Sequence, residues 1–199
     1  MSLPPNHGLR WVELSRAALT EALTRAAAAA SSSIDARVDG YGFGIDLVRE
    51  IAKPLGLSLD GESQEWATDA LNSGGQRLCA QVINVKQVPA GEEVSYGGHF
   101  RTQRDTTLAL ISIGFADGVP RLDPVGGNVE LGGTILPIAG RIAMDQLIVD
   151  ATESDVSVGD VATIWGGAVS VEQWSEWSSR PTIEIASLLA PRVARVVVE

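Results

Sequence analysis

Apolar and polar positions alternate in two textures that change near residue 75. In the first, residues 11–14 read as a short strand. Residues 17–30 are dominated by Ala, Leu, Arg and Glu, which favour helix, and Ser15 stands where a hydroxyl can cap the first turn. Residues 34–38 read as a second short strand. They lead into the glycine-rich turn Asp39-Gly40-Tyr41-Gly42-Phe43-Gly44. Residues 45–52 return to helical spacing, with Ile45, Val48, Ile51 and Ala52 on one face, and stop before Pro54. Residues 57–59 read as a brief strand and 63–71 as a third helix. Alternating strands and helices predict βα units with parallel pairing, and Gly74-Gly75 reads as a linker.

From residue 78 the β-prone runs lengthen: 78–88, 107–113, 128–131, 135–138, 146–150 and 161–165. Gly, Pro and Asp turns such as Val158-Gly159-Asp160 separate them, a pattern that predicts a small antiparallel barrel. Two helical stretches, 170–177 and 183–189, interrupt it before a last strand at 192–198. The expected class is α+β, with a short βαβα segment over residues 1–76 and a barrel-like β domain over 77–199.

Composition narrows the chemistry. The net charge of −10 opposes a phosphate-binding footprint, which needs clustered Lys and Arg, so no nucleic acid is expected. Among 15 basic residues only Lys53 and Lys86 are lysines. Both read as solvated. The single cysteine, Cys79, lies in an apolar run and reads as a buried, inert thiol. His7 and His99 are too few and too far apart for a metal site. No apolar run is long enough to span a bilayer, and residues 26–30 lack a leader design, so the expectation is a cytoplasmic protein with no membrane partner. The first five residues read as a loose end. Trp165, Trp174 and Trp177 suit interface anchors and core equally.

Several ordered motifs carry a family resemblance. Gly114-Phe115-Ala116-Asp117-Gly118-Val119-Pro120-Arg121 resembles the alanine racemase pattern Gly-Tyr-Ala-Asp-Gly-x-Pro-Arg. Pro137-Ile138-Ala139-Gly140-Arg141-Ile142-Ala143-Met144-Asp145-Gln146 resembles that family's Pro-x-x-Gly-Arg-x-x-Met-Asp-Gln. Val94-Ser95-Tyr96-Gly97-Gly98-His99-Phe100 and Val158-Gly159-Asp160 are similar to further family segments. Nearer the N-terminus, Trp11-Val12-Glu13-Leu14 resembles the opening strand, and Arg37-Val38-Asp39-Gly40-Tyr41-Gly42-Phe43-Gly44 resembles Lys-Ala-x-x-Tyr-Gly-His-Gly.

The resemblance implies an N-terminal (β/α)₈ barrel holding pyridoxal phosphate (PLP) on a lysine, a C-terminal β domain, and subunits docked head to tail. Two bases, the lysine and a tyrosine, would exchange the α-proton. A complete barrel takes about 250 residues, whereas about 75 precede the β domain here, so residues 1–76 correspond to a barrel remnant. Arg37 stands at the lysine position, and a guanidinium neither forms the imine nor acts as a base near neutral pH. Phe115 stands at the position read as the catalytic tyrosine, and a phenyl ring exchanges no proton. Ile183 and Phe43 replace a further tyrosine and a histidine. Tyr41 matches a tyrosine beside the cofactor phosphate, and Met144 and Asp145 match substrate-side positions. On the residues alone, Tyr41 also reads as turn packing, Met144 as core, and Asp117 and Asp145 as turn-amide acceptors. The expectation is a truncated alanine racemase homologue without intact catalytic residues and without bound PLP. It would be a homodimer acting as a binding or oligomerisation module. The alternative is a PLP-dependent racemase completed by another chain.

Overall fold

Ser15 ends the first strand, β1 (Arg10–Ser15), and starts the first helix, α1 (Arg16–Ala28). Its hydroxyl accepts from the Ala18 amide at 3.2 Å, as the capping pattern predicts. This is a computed structural model, and it describes residues 8–29, 32–122 and 126–199. The N-terminal loose end and His7 lie outside the described residues.

After α1 the chain turns through α2 (Arg37–Tyr41), α3 (Ile45–Ala52), a 3₁₀ turn (Lys53–Leu55) and α4 (Glu65–Asn72). The strands expected at 34–38 and 57–59 do not form. Each is reduced to isolated bridges, Ser33 to Ser58 and Asp35 to Asp60. The physical reason lies at Asp35, whose carboxylate takes the Arg37 amide at 2.9 Å and bends the backbone out of extension. A short polar side chain that bonds its own neighbours competes with a strand ladder in this way.

The β body comprises β2 (Gln76–Val88), β3 (Glu93–Val94), β4 (Phe100–Arg101), β5 (Thr106–Ile111), β6 (Asn128–Leu131), β7 (Thr134–Pro137), β8 (Leu147–Asp150), β9 (Val161–Trp165) and β10 (Ala194–Val198). Two helices, α5 (Val171–Ser178) and α6 (Thr182–Ser187), precede β10. A capping box between Ser170 and Gln173 starts α5. All six β runs expected from residue 78 onward appear, together with the closing strand. The small β3–β4 hairpin is additional.

β2 organises the sheet. Its first half pairs with β1 on one side and β9 on the other, and its second half pairs with β5. Register shifts at Leu78/Cys79 and Val82/Asn84 let one strand serve both halves. The order β10-β1-β2-β9-β6-β7 continues off the path through β5 and β8. The Ile138–Val149 bridge links the β7 side to β8 without a full ladder. The result is an α+β protein with a barrel-like antiparallel body.

β1 joins this body. It pairs antiparallel with β2 and parallel with β10, from Trp11 opposite Ala194 to Ser15 opposite Val198. Both edges of the N-terminal strand are thereby covered, which removes an open edge that would invite pairing with other chains. The core is continuous from Leu19, Leu23, Val48 and Trp66 to Leu78, Ile111, Val149 and Ile164. Trp66, Trp165 and Trp174 are buried in it and Trp11 is buried as well, so four of the five tryptophans are interior residues.

Candidate functional site

Two clusters carry the residues singled out by sequence. The first surrounds α2, whose Val38, Asp39, Gly40 and Tyr41 have φ values of 52°, 55°, 62° and 55°. Glycine accepts this left-handed backbone freely, but the β-branched Val38 does not. Gly42 follows at φ 81°. A Cβ there would lie 2.2 Å from the Ala186 carbonyl oxygen, so the close approach of α6 requires glycine.

Asp35 holds this turn from both ends. Its Oδ1 accepts from the Arg37 amide and Nε, each at 2.9 Å, and its Oδ2 accepts from Arg37 Nη2 at 2.6 Å and from the Tyr41 hydroxyl. The Arg37 hydrogen bonds hold the Asp35 carboxyl well below the usual carboxylate range, against the opposing effect of burial. The same pairing raises the Arg37 guanidinium. Burial first, then the bond to Asp35, raises the Tyr41 phenol. Tyr41 also lies edge-on to Trp66, with ring centroids 6.2 Å apart, so it serves as turn packing here. Although clamped to Asp35, the Arg37 side chain is 78% exposed. A shallow, open cavity of 480 Å³ beside the turn is lined by Val38, Asp39, Ser187, Leu189, Pro191 and Arg195.

The second cluster is a rim built by three loops. The Phe115 amide donates to the Ala143 carbonyl at 2.9 Å, and the Ala116 amide to the Met144 carbonyl at 2.7 Å. Ser95 Oγ donates to the Arg141 carbonyl at 2.8 Å. These bonds join the 94–99, 114–121 and 140–146 segments. Phe115 is 44% exposed and Met144 53%, so the core reading of Met144 is incorrect. Asp145 is exposed as well. The Arg121 guanidinium carbon lies 4.7 Å from the centroid of the Phe115 ring, and its Nη2 lies 3.5 Å from Met144 Sδ.

Beneath the rim, Asp117 is fully buried. It accepts from the Gly114 amide at 2.9 Å, from Arg10 Nη1 at 2.8 Å and from Arg192 Nε at 2.6 Å. The turn role expected for Asp117 is present, with two arginines added. The segment that carries Arg192 also carries Arg195, whose Nη2 lies 3.8 Å from Asp39. This segment therefore connects the two clusters. Among the described residues, no hydrogen bond or ion pair joins Arg37 or Tyr41 directly to Phe115, Met144 or Asp145.

Sequence reasoning missed Asp35, Arg10, Arg192 and Tyr96. Tyr96 projects a phenol that is 81% exposed on the rim's 94–99 segment, so the rim does carry a phenol although position 115 is phenylalanine. Asp35 had a local signal: an acidic residue two positions before an arginine. Lys53 and Lys86 are exposed on the 3₁₀ turn and on β2. Burial first, then the nearby Glu13 charge, pushes the Cys79 thiol up to about 12, in keeping with an inert buried sulfur. No group of three potential metal ligands occurs among the described residues. None of the described helices is long and apolar enough to cross a membrane.

The barrel-like body and its motif-bearing rim define the class. The family model described as "Alanine racemase, C-terminal domain" matches residues 76–197, and the chain belongs to that family. Relatives include alanine racemases of Shewanella loihica, 37% identical over 70% of this chain and 40% of that protein, and of Beutenbergia cavernae, 38% identical over 76% and 41%. The chain thus spans about two fifths of the length of these relatives. The solved alanine racemase of Bartonella henselae, with covalently bound pyridoxal phosphate, aligns with a TM-score of 0.59 and 38% identity. That alignment covers 62% of this chain and 35% of that one. The alanine racemase of Streptomyces coelicolor aligns with a TM-score of 0.81 over 96% and 98% of the two chains, at 18% identity, and shows likeness of fold. The family is one of PLP-dependent isomerases.

Proposed function

We propose that this chain is a truncated alanine racemase homologue that does not racemise amino acids by itself and acts as a binding or oligomerisation module. The observation that carries this reading is the pre-formed rim, where Phe115, Arg121, Arg141 and Met144 are exposed on loops tied together by backbone bonds.

The residues present do not fit an imine-linked PLP. Arg37 is the basic side chain nearest to the left-handed turn in sequence, and its guanidinium stays protonated and clamped to Asp35. The amides of Gly40, Gly42, Phe43 and Gly44 are spent on backbone carbonyls, so they form no free cradle for a phosphate. Incubating the purified protein with PLP should give no imine absorbance, no adduct fixed to a lysine by borohydride, and no racemisation of L-alanine. A fixed adduct with turnover would overturn this reading.

Tyr96 favours a second reading, a racemase completed by another chain, because a phenol on the rim is a group able to exchange a proton. In that case racemisation would appear only when a PLP-loaded second chain is added, and it would fall with Tyr96→Phe.

A further inference from the structure

Sulfur occurs at two positions among the described residues, and the fold treats them oppositely. Cys79 is buried, and burial first, then the Glu13 charge, raises its thiol, so it offers no thiolate to an oxidant. Met144 is exposed on the rim. Its backbone is fixed, because its carbonyl accepts from the Ala116 amide at 2.7 Å. Its thioether is oriented as well. Arg121 Nη2 lies 3.5 Å from Met144 Sδ, and the same guanidinium stacks on the Phe115 ring at 4.7 Å from its centroid. Arg121 has no carboxylate partner among the described residues to draw it away from the sulfur.

A thioether carries two lone pairs, and in a freely rotating methionine an electrophile reaches both. At Met144 the guanidinium N–H covers one of them and leaves the other open. We propose that Met144 is a modification site for hydroperoxides, and that Arg121 positions its sulfur so that oxygen is added to one face. The open lone pair attacks one peroxide oxygen. The S–O bond forms as the O–O bond breaks. The proton on the transferred oxygen passes to the departing hydroxide, which leaves as water. Sulfur is oxidised by two electrons and the peroxide is reduced by two. The product is a single sulfoxide epimer, a polar group in place of an apolar one on the exposed rim, and it is reversible by a reductase of matching stereospecificity. This goes beyond the docking reading and does not depend on it.

The test is hydrogen peroxide treatment of the intact chain. The Met144 peptide is then recovered by digestion and treated separately with two methionine sulfoxide reductases of opposite stereospecificity, each of which removes one epimer. Met144 should oxidise at a rate close to that of N-acetylmethionine amide added to the same tube. One epimer should exceed the other by about threefold or more, the order set by a contact of this strength. Arg121→Ala and Phe115→Ala change exposed side chains, so both variants should melt like the wild type by circular dichroism. Arg121→Ala should bring the epimers to near equality, and Phe115→Ala should reduce the excess. Equal epimers in the wild type, or an excess that survives Arg121→Ala, overturn the role of Arg121. A Met144 that stays reduced while the added methionine is oxidised overturns the site itself and leaves the rim standing as a docking surface.

Discussion

Asp35 is a buried carboxylate that satisfies three donor groups across a strained turn, and its role gives a pH signature. In the unfolded chain an aspartate titrates near ~3.9, while in the folded chain Arg37 and Tyr41 hold Asp35 far below that. A depressed folded value contributes stability that is fully present above the unfolded pKa and is lost as pH falls toward the folded one. Asp35→Asn should therefore cost about 1–2 kcal/mol near neutral pH. This estimate comes from hydrogen bonds to a charged group, discounted because Arg37 is mostly exposed. The gap between the variant and the wild type should narrow from about pH 6 to about pH 3, as linkage requires. Urea midpoints at the two pH values check it, and a constant gap would remove Asp35 from the acid response.

At the scale of elements, Asp117 ties three parts of the chain together. Arg10 lies on β1, Arg192 lies just before β10, and Gly114 opens the rim loop. Asp117 itself is fully buried, Arg10 is largely so, and Arg192 is half exposed. Removing one partner of a buried ion pair leaves the other charge uncompensated, at a cost of about 3–5 kcal/mol. Asp117→Ala should fall at the lower end of that range because water reaches Arg192. A double-mutant cycle with Arg10→Ala should show the two changes to be strongly non-additive. Additive losses in chemical denaturation would mean that β1 is held by its ladders alone.

At the scale of the whole molecule, the parallel β1–β10 ladder and the antiparallel β1–β2 ladder join the two ends of the chain in one sheet. The helical segment rests on the same core, with Trp66 buried among its residues, while Trp165 and Trp174 are buried in the β body. A shared core predicts one cooperative transition. Tryptophan fluorescence and far-ultraviolet circular dichroism should give coincident urea curves. Two separated transitions would instead mark residues 1–76 and 77–199 as independently folding domains.

The rim motifs, the Ser15 cap, the Asp117 turn and the longer β runs could all be read from the sequence, because each depends on neighbours a few positions away. The apolar runs at 34–38 and 57–59 were too short for their pattern to decide between a strand and isolated bridges. At 34–38 the local hydrogen bonds of Asp35 decided it. The exposure of Met144, the pairing of β1 with both β2 and β10, and the union of Arg10 with Asp117 across 107 positions depended on the tertiary structure. Periodicity, caps and turn chemistry act along the backbone, so residue order determined them. Strand partners and the choice of which arginines find carboxylates depend on segments that meet only after the chain has folded.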